Sequence, residues 1–222
     1  MSVCVCNKCF SMDMRLRCGS SMLVAGPSQS GKSTWVHRLL AARDQMFECP
    51  PSAIHWYHGQ FTPDLVGRGY DVVAQGLPDT FDDFKPETVV VLDDLMVEAK
   101  DHPGVSALFT KWVHHRRLFV ICISQNLFYQ SKETRTRRLN TQYIVVFKNP
   151  VDQGQIAVLG RQMYPNEGRF LAQVYHDVTH ATPHAYLFID LRQETPEDVR
   201  VRTHILPHEA PMTIFLRHKH SR

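Results

Sequence analysis

The feature that most constrains this chain is an eight-residue loop between a predicted strand and a predicted helix. The loop reads Gly26-Pro-Ser-Gln-Ser-Gly-Lys-Ser33 and matches the pattern G-x-x-x-x-G-K-[ST] at every fixed position. The apolar run at 22–26 predicts a buried strand before it, and the helical spacing of apolar residues over 33–43 predicts a helix after it. This order turns backbone N–H groups and the positive end of a helix dipole toward one point. The loop therefore predicts a site for the phosphates of a nucleotide.

The residues of the loop have separate expected roles. Gly26 and Gly31 allow the backbone to wrap around phosphates. We expect the Lys32 ammonium to contact the β- and γ-phosphates, and the Ser33 hydroxyl to be a Mg²⁺ ligand. The predicted nucleotide-binding set is Gly26, Pro27, Ser28, Gln29, Ser30, Gly31, Lys32, Ser33 and Thr34.

Two carboxylates follow a second predicted strand. The β-branched run at 88–92 is typical of a central parallel strand, and Asp93 and Asp94 come directly after it. In a doubly wound sheet, ligands bind at the carboxyl ends of the strands. We therefore expect Asp93 to hold Mg²⁺ beside Ser33, and Asp94 to orient or deprotonate an attacking water.

Gln125 follows the continuous apolar strand predicted at 118–123. At a neighbouring strand end, its amide could hydrogen-bond both the attacking water and the γ-phosphate. Gln125 as an ordinary turn residue is the alternative that the sequence leaves open.

Short apolar runs alternate with helical patterns along most of the 222 residues. This alternation predicts an α/β fold, with a mainly parallel, doubly wound sheet and helices on both faces. The predicted strands are at 22–26, 53–57, 70–74, 88–92, 118–123, 143–147 and 185–190, and the predicted helices at 33–43, 104–115, 152–163 and 170–178. We expect a Cys-rich irregular leader at 1–20, one domain at 21–207 and a basic tail at 208–222.

The small net charge of +3 conceals a polarised chain. Residues 100–148 hold nine basic and two acidic residues, a net +7, whereas the other 16 basic and 20 acidic residues leave −4. We expect Arg116, which precedes a core strand, to be an arginine finger for the γ-phosphoryl group. Arg135, Arg137 and Arg138 are candidates for DNA binding or for a subunit interface, with a solvated basic face as the alternative.

Four cysteines crowd the N-terminus, and the other two, Cys49 and Cys122, lie apart. A structural zinc site needs four such ligands, but the spacing is not that of two C-x₂-C pairs. The pattern therefore favours a reduced leader over zinc, and a reducing compartment over secretion. The four candidate zinc ligands are Cys4, Cys6, Cys9 and Cys18.

Together these motifs resemble a known family over about residues 22–207. The chain is similar to the genome-packaging ATPases of polinton/Maverick elements and adintovirus-like viruses, members of the FtsK/HerA superfamily, as are the poxvirus packaging ATPases. One departure is Val151, where relatives tend to have arginine. The resemblance is carried by Gly26–Ser33, Val91-Leu-Asp-Asp-Leu-Met96, His114-His-Arg116, Ser124-Gln-Asn-Leu-Phe128, Leu139-Asn140 and Phe147-Lys-Asn-Pro150.

The resemblance implies a RecA-like P-loop core that hydrolyses ATP with Mg²⁺ in a ring of identical subunits. Its implied partners are double-stranded DNA and capsid or portal components, with no membrane. The expected location is the host nucleus or cytoplasm, with association with the virion. The implied nucleotide residues are Lys32, Ser33, Asp93, Asp94, Gln125 and Arg116.

Two other functions stay open at this point. A P-loop kinase for a nucleotide or small molecule could use the arginines of 132–138 as a lid. A remnant that binds nucleotide without hydrolysing it is the second alternative, although the intact Lys32, Ser33, Asp93 and Asp94 argue against decay.

Overall fold

The computed structural model describes residues 13–95, 98–100, 102–127 and 141–217. Within these residues, nine strands form one sheet in the order β3-β2-β4-β5-β1-β6-β7-β8-β9. The first six strands of that order run parallel, and β7, β8 and β9 continue the sheet in antiparallel pairs. The strands are β1 (Ser20–Ala25), β2 (Ala53–His58), β3 (Val72–Gln75), β4 (Thr88–Asp93), β5 (Phe119–Ser124), β6 (Tyr143–Phe147), β7 (Tyr186–Asp190), β8 (Val201–Thr203) and β9 (Thr213–Ile214).

Helices cover both faces of the sheet, as the sequence predicts. The segment expected as one helix at 104–115 consists of two α-helical parts joined by a π-helical turn at Leu108–Trp112. The helices are α1 (Lys32–Ala41), α2 (Arg43–Met46), α3 (Pro103–Ala107), α4 (Val113–His115), α5 (Gly154–Met163) and α6 (Arg169–Ala181). Short 3₁₀ turns lie at Pro63–Leu65, Glu98–Lys100 and Glu197–Val199.

The alternation of side chains along β4 explains the two layers of core. Val89 and Val91 face the side covered by α1, where Trp35, Val36, Leu39 and Leu40 are buried. Val90 and Leu92 face the opposite side, against the segment from α3 to α4. Successive strand residues point to opposite faces, so a fully apolar strand must be covered twice. On the side opposite α1, α5 and α6 pack against β6 and β7.

The strand order brings together the ends of strands that are distant in sequence. β5 lies between β1 and β4, and Ala25 pairs in register with Ser124 while Asp93 pairs with Ile123. Parallel strands end at the same edge, so the loop after β1 and the residues after β4 and β5 are neighbours.

Segments on both sides of residues 21–207 also pair with this domain. Leu16 is buried and forms an isolated parallel bridge with Phe47, and β9 pairs with β8 near the other end. Neither β8 nor β9 is predicted, because strands of two or three residues carry no period that a sequence pattern can show. The domain boundaries themselves stay a prediction.

No helix in the described part of the chain is long and apolar enough to cross a bilayer.

Buried charges stabilise the antiparallel side of the sheet. Asp190 is fully buried and accepts hydrogen bonds from Arg192 Nε (3.0 Å), Arg192 Nη2 (2.8 Å) and Arg202 Nη2 (2.7 Å). Burial alone would raise the pKa of Asp190, but the two guanidinium groups hold it below its usual value.

We predict that Asp190→Asn lowers the free energy of unfolding at pH 7 by about 3 kcal/mol, because it leaves two buried arginines without a counter-charge. The folded pKa of Asp190 lies below its unfolded value near 3.8. The advantage of the wild type is therefore complete above about pH 5 and shrinks as the pH falls through the folded pKa. Urea titrations between pH 3 and pH 8 measure both effects.

The matched control is Glu48→Gln, which removes an exposed ion pair with Arg17 at 3.4 Å. An exposed pair is worth at most about 1 kcal/mol, so the control should stay close to the wild type. Equal stability of Asp190→Asn and the wild type at pH 7 would contradict the role of this cluster.

Candidate nucleotide site

The loop at 26–33 has the backbone of a phosphate cradle. Gln29 and Gly31 have positive φ angles of 63° and 99°, and Trp35 N donates to Gly31 O (2.9 Å) at the start of α1. Left-handed positions turn successive N–H groups toward one concavity, which favours anions. In the described structure, no side chain caps the first turn of α1 and no acidic residue lies in it. These N–H groups and the helix dipole thus face the loop.

Gly26 is required at its position by close packing. A Cβ atom there would lie 2.8 Å from Phe147 Cβ and 2.8 Å from Ser30 Oγ. Its backbone N–H donates to Ser124 O (3.2 Å), which ties the start of the loop to the end of β5. The first glycine of the motif therefore allows the loop to pack closely against the ends of β5 and β6.

Lys32, Ser33 and Asp93 lie close together. Lys32 Nζ donates to Pro27 O (2.8 Å), so its ammonium lies within the loop. Burial lowers the pKa of Lys32, and the charges of Asp93 and Asp94 oppose that shift. Ser33 Oγ donates to Asp93 Oδ2 (3.3 Å). A hydroxyl beside a carboxylate is an all-oxygen donor pair of the kind that Mg²⁺ prefers, so these residues fit the expected ion.

Asp93 is partly withdrawn from solvent. Burial raises its pKa to about 6, although the hydrogen bond from Ser33 and the charge of Lys32 act in the opposite direction. A carboxylate whose charge is poorly solvated gains most when a cation neutralises it. The raised pKa is therefore consistent with a cation ligand.

Asp94 and Gln125 also come together. Gln125 Nε2 donates to Asp94 Oδ2 (3.1 Å), and Asp94 N donates to Ile123 O (3.2 Å). Asp94 has a φ of 54°, a conformation that aspartate and asparagine tolerate better than most residues. The left-handed turn aims the carboxylate along the edge of the sheet, where the amide of Gln125 orients it.

A cleft of about 470 Å³ continues from the loop along α1 toward β6 and β7. Its aromatic wall is formed by Trp35, Phe147 and Tyr186, with ring centroids of neighbouring pairs 5.3 and 5.9 Å apart. Tyr186 OH donates to Glu209 Oε2 (2.6 Å), and Arg38 Nη1 lies 3.2 Å from Glu209 Oε1. A cleft of this size, with one aromatic wall, polar side chains around it and an opening to the phosphate loop, suits a nucleoside.

Two histidines that belong to no sequence motif also lie at this site. His184 Nδ1 donates to Ser30 O (3.0 Å) and its ring packs over Gly31. His58 ends β2, is 4% exposed and pairs in register with Asp93. His58 directly follows the strand predicted at 53–57, just as Asp93 follows the strand predicted at 88–92. This shared position is a sequence signal for His58. The sequence carries no signal for His184, because 154 residues separate it from Ser30.

Arg116 is not brought to this edge. It precedes β5, so about 20 Å of strand separates it from the carboxyl ends. Arg116 Nη1 donates to Phe84 O (2.8 Å), and its guanidinium lies 4.6 Å from the centroid of the Trp112 ring. To serve a neighbouring subunit as an arginine finger, it would have to break both contacts.

The other candidate residues divide between described and undescribed parts of the chain. Arg135, Arg137, Arg138, Cys4, Cys6 and Cys9 lie outside the described residues. Cys18 is described, and its thiol donates to Cys49 O (3.3 Å). Among the described residues, no group of three or more metal-ligating side chains could hold a metal ion.

The strand order, the loop and the paired acidic residues together define the fold of a P-loop nucleoside triphosphatase. No protein-family model matches the chain, and no curated protein matches it. Solved structures do match. B204, the DNA-packaging ATPase of Sulfolobus turreted icosahedral virus, is similar over 87% of this chain and 100% of its own, with 13% identity and a TM-score of 0.56.

Two further structures agree on the fold. The genome-packaging NTPase B204 of Sulfolobus turreted icosahedral virus 2, in complex with ATP-γ-S, covers 84% of this chain and 97% of its own, with 15% identity and a TM-score of 0.52. The cytoplasmic domain of the type VII secretion ATPase EccC of Thermomonospora curvata covers 88% of this chain and 25% of its own, with 13% identity and a TM-score of 0.50. The predicted P-loop fold, with a mainly parallel sheet and helices on both faces, is thus confirmed.

We predict that Asp93→Asn stabilises the nucleotide-free protein at neutral pH by about 2 kcal/mol. The pKa of Asp93 is raised in the folded state, so the cost of ionising it grows as the pH rises from about 4 to about 6 and is constant above that. The variant should therefore match the wild type near pH 4 and exceed it at pH 7.

Urea denaturation of both proteins across this pH range measures the difference. The exposed Asp83→Asn serves as control and should show no such divergence. A variant that is less stable than the wild type at pH 7 would show that the Asp93 carboxylate is held by contacts worth more than its burial costs.

Proposed function

We propose that this chain is an ATP-driven motor that moves double-stranded DNA during the packaging of a viral or virus-like genome. The observation that carries this proposal is the meeting of Lys32, Ser33, Asp93, Asp94 and Gln125 at one edge of the sheet. The similarity of 87% of the chain to the fold of a DNA-packaging ATPase supports the choice of DNA as substrate. The sequence motifs favour the polinton/Maverick and adintovirus-like branch of the FtsK/HerA superfamily.

The chain's own residues would divide the work of hydrolysis. The N–H groups of the loop and the Lys32 ammonium bind the β- and γ-phosphates, and the cleft beside Trp35 and Tyr186 receives the nucleoside. Mg²⁺, held by Ser33 and Asp93, would supply neutralisation of phosphate charge. Asp94 accepts a hydrogen bond from an attacking water and then its proton, while Gln125 keeps the Asp94 carboxylate oriented.

The pairing of Asp94 with Gln125 favours hydrolysis over transfer to a second substrate. A kinase must exclude water from the γ-phosphate, whereas here a carboxylate and an amide lie together at an exposed strand end. This contact makes a nucleotide kinase the weaker alternative.

Moving DNA also requires an assembly of subunits, a DNA-binding surface and a docking partner, and we propose the following ones. Identical subunits form a ring, the basic segment 100–148 holds the DNA backbone through Arg135, Arg137 and Arg138, and capsid or portal components receive the ring. The motor acts in the host nucleus or cytoplasm and associates with the virion. Arg116 stays the arginine-finger candidate in trans.

We predict that the protein hydrolyses ATP faster with duplex DNA than without it, and that two substitutions abolish this activity. Lys32→Ala removes the ammonium that binds the phosphates and should weaken nucleotide binding. Asp94→Asn keeps the left-handed backbone and should lower kcat by about 100-fold or more while nucleotide still binds. Phosphate release and binding of a fluorescent ATP analogue, measured in parallel, separate the two effects.

Lys85→Ala and Asp83→Asn change exposed residues of the same types away from the site and should leave hydrolysis unchanged. Unchanged hydrolysis in both site variants would refute the assignment. Transfer of phosphate to a nucleoside monophosphate without DNA stimulation would favour the kinase.

We predict that the triple variant Arg135→Ala, Arg137→Ala, Arg138→Ala keeps basal ATP hydrolysis and loses most of its stimulation by DNA. Each phosphate contact removed lowers the slope of log K against log salt by about 0.9, so the slope should fall by about 2 to 3. Fluorescence anisotropy of labelled duplex DNA at several salt concentrations gives this slope.

A triple variant of equal charge, Arg43→Ala, Arg161→Ala, Arg169→Ala, controls for net charge alone, because these exposed arginines lie outside the basic segment. An equal loss of DNA binding in both triple variants would mean that only overall charge matters.

A further inference from the structure

Two cysteines that are distant in sequence lie side by side at the amino edge of the sheet. Leu16 forms a parallel bridge with Phe47, and the backbone bonds Leu16 N to Met46 O (2.7 Å) and Glu48 N to Leu16 O (2.9 Å) fix the pairing. Two residues further along each segment come Cys18 and Cys49. Paired strands are about 4.8 Å apart, which lies within the Cα separation of about 4.4 to 6.8 Å that a disulfide needs.

The two thiols are in direct contact with each other's residues and are reachable from solvent. Cys18 Sγ donates to Cys49 O (3.3 Å), and both side chains are half-buried free thiols. Burial, followed by the hydrogen bond to Cys49, raises the pKa of Cys18 to about 11. Cys18 is therefore a neutral thiol at physiological pH.

The Cys49 thiol is in contact with a cationic side chain. Arg117 Nη2 donates a hydrogen bond to Cys49 Sγ (2.8 Å), and Arg117 Nη1 lies 3.4 Å from Glu87 Oε1, which anchors the guanidinium. Reactive thiols occur in partly exposed sites of this kind, in contact with a cationic side chain. In the sequence, Cys18 is only a candidate zinc ligand, and no motif includes Cys49.

We propose that Cys18 and Cys49 form an oxidisable dithiol site, in which Arg117 prepares Cys49 to react with a hydroperoxide and Cys18 then closes a disulfide. The site is independent of the nucleotide site and of the proposed motor function.

The chemistry takes two steps. Cys49 sulfur attacks the terminal oxygen of the hydroperoxide, an S–O bond forms and the O–O bond breaks. Cys49 becomes a sulfenic acid, and the departing oxygen takes the thiol proton to leave as water or an alcohol. Cys18 sulfur then attacks Cys49 sulfur, the S–S bond forms, the S–O bond breaks, and hydroxide leaves as water with the Cys18 proton. Two thiols lose two electrons and the hydroperoxide gains them.

The link would close a loop that holds β1, the phosphate loop, α1 and α2, all of which lie between residues 18 and 49. Cross-linking a loop of this length restricts the unfolded chain and stabilises the fold. We therefore expect oxidation to raise the melting temperature by about 5 °C or more.

The test uses the full chain carrying Cys4→Ser, Cys6→Ser and Cys9→Ser, so that no other N-terminal thiol competes. The protein is treated with hydrogen peroxide, remaining thiols are blocked with N-ethylmaleimide, and peptides are mapped by mass spectrometry. The expected result is a peptide pair joined through Cys18 and Cys49, a mass lower by two hydrogen atoms, and reversal by dithiothreitol. The melting temperature should rise with the link and fall again on reduction.

Matched variants test each part of the proposal. Cys18→Ser should stop at an oxidised Cys49, Cys49→Ser should leave Cys18 unreacted, and neither should gain thermal stability from peroxide. Arg117→Gln should slow the first step by about tenfold, whereas Arg117→Lys keeps a cation and should slow it less. Failure of the peptides to cross-link, or cross-linking as fast in urea as in the folded protein, would overturn the proposal.

Discussion

Parallel pairing of β4 with β5 and of β5 with β1 ends three strands at the same level of one sheet edge. Ala25 is paired with Ser124 and Asp93 with Ile123, so the next residue on each strand enters the same space. A shift of one residue in either pairing would turn Asp93 to the opposite face, away from Ser33. The packing of 89–92 opposes such a shift, because it would move side chains that fill one core layer into the other layer, which is packed for different side chains. The hydrophobic core therefore holds the polar site in register.

The same packing makes the site residues unfavourable for the stability of the folded protein. Asp93 shares its face of the sheet with Trp56 and Val91, which are fully buried, and burial raises its pKa. Asp94 and Gln29 occupy left-handed backbone conformations that most residues avoid. Other contacts stabilise the fold, for example the aromatic stack of His37 in α1 with Trp56 and Tyr70. Burial there lowers the pKa of His37 to about 4, so that its ring stays neutral within the stack at physiological pH.

The sequence predicts those parts of the site that belong to local patterns. The phosphate loop has fixed spacing, and Asp93, Asp94 and Gln125 each follow a continuous apolar strand, so their meeting could be inferred from the rule for parallel sheets. The wall of the cleft could not be inferred, because Tyr186, His184 and Glu209 reach the loop only through the return of β7 and the chain after β8. The position of Arg116 relative to the site also could not be inferred from the sequence. Its place before β5 does make it rigid, but it fixes the guanidinium at the edge of the sheet opposite the nucleotide site.

The two edges of the sheet differ in chemistry because the strands have direction. The carboxyl edge gathers loop N–H groups, a lysine and carboxylates, whereas the amino edge gathers the residues that enter the strands, among them Cys18, Cys49 and Arg117. A six-residue strand separates the edges by about 20 Å, so a bond formed at the amino edge leaves the phosphate loop free to bind. Such a bond acts instead on the unfolded chain, whose freedom it reduces. Oxidation of the cysteine pair should therefore change how long the nucleotide-binding segment stays folded, without changing the geometry in which it binds.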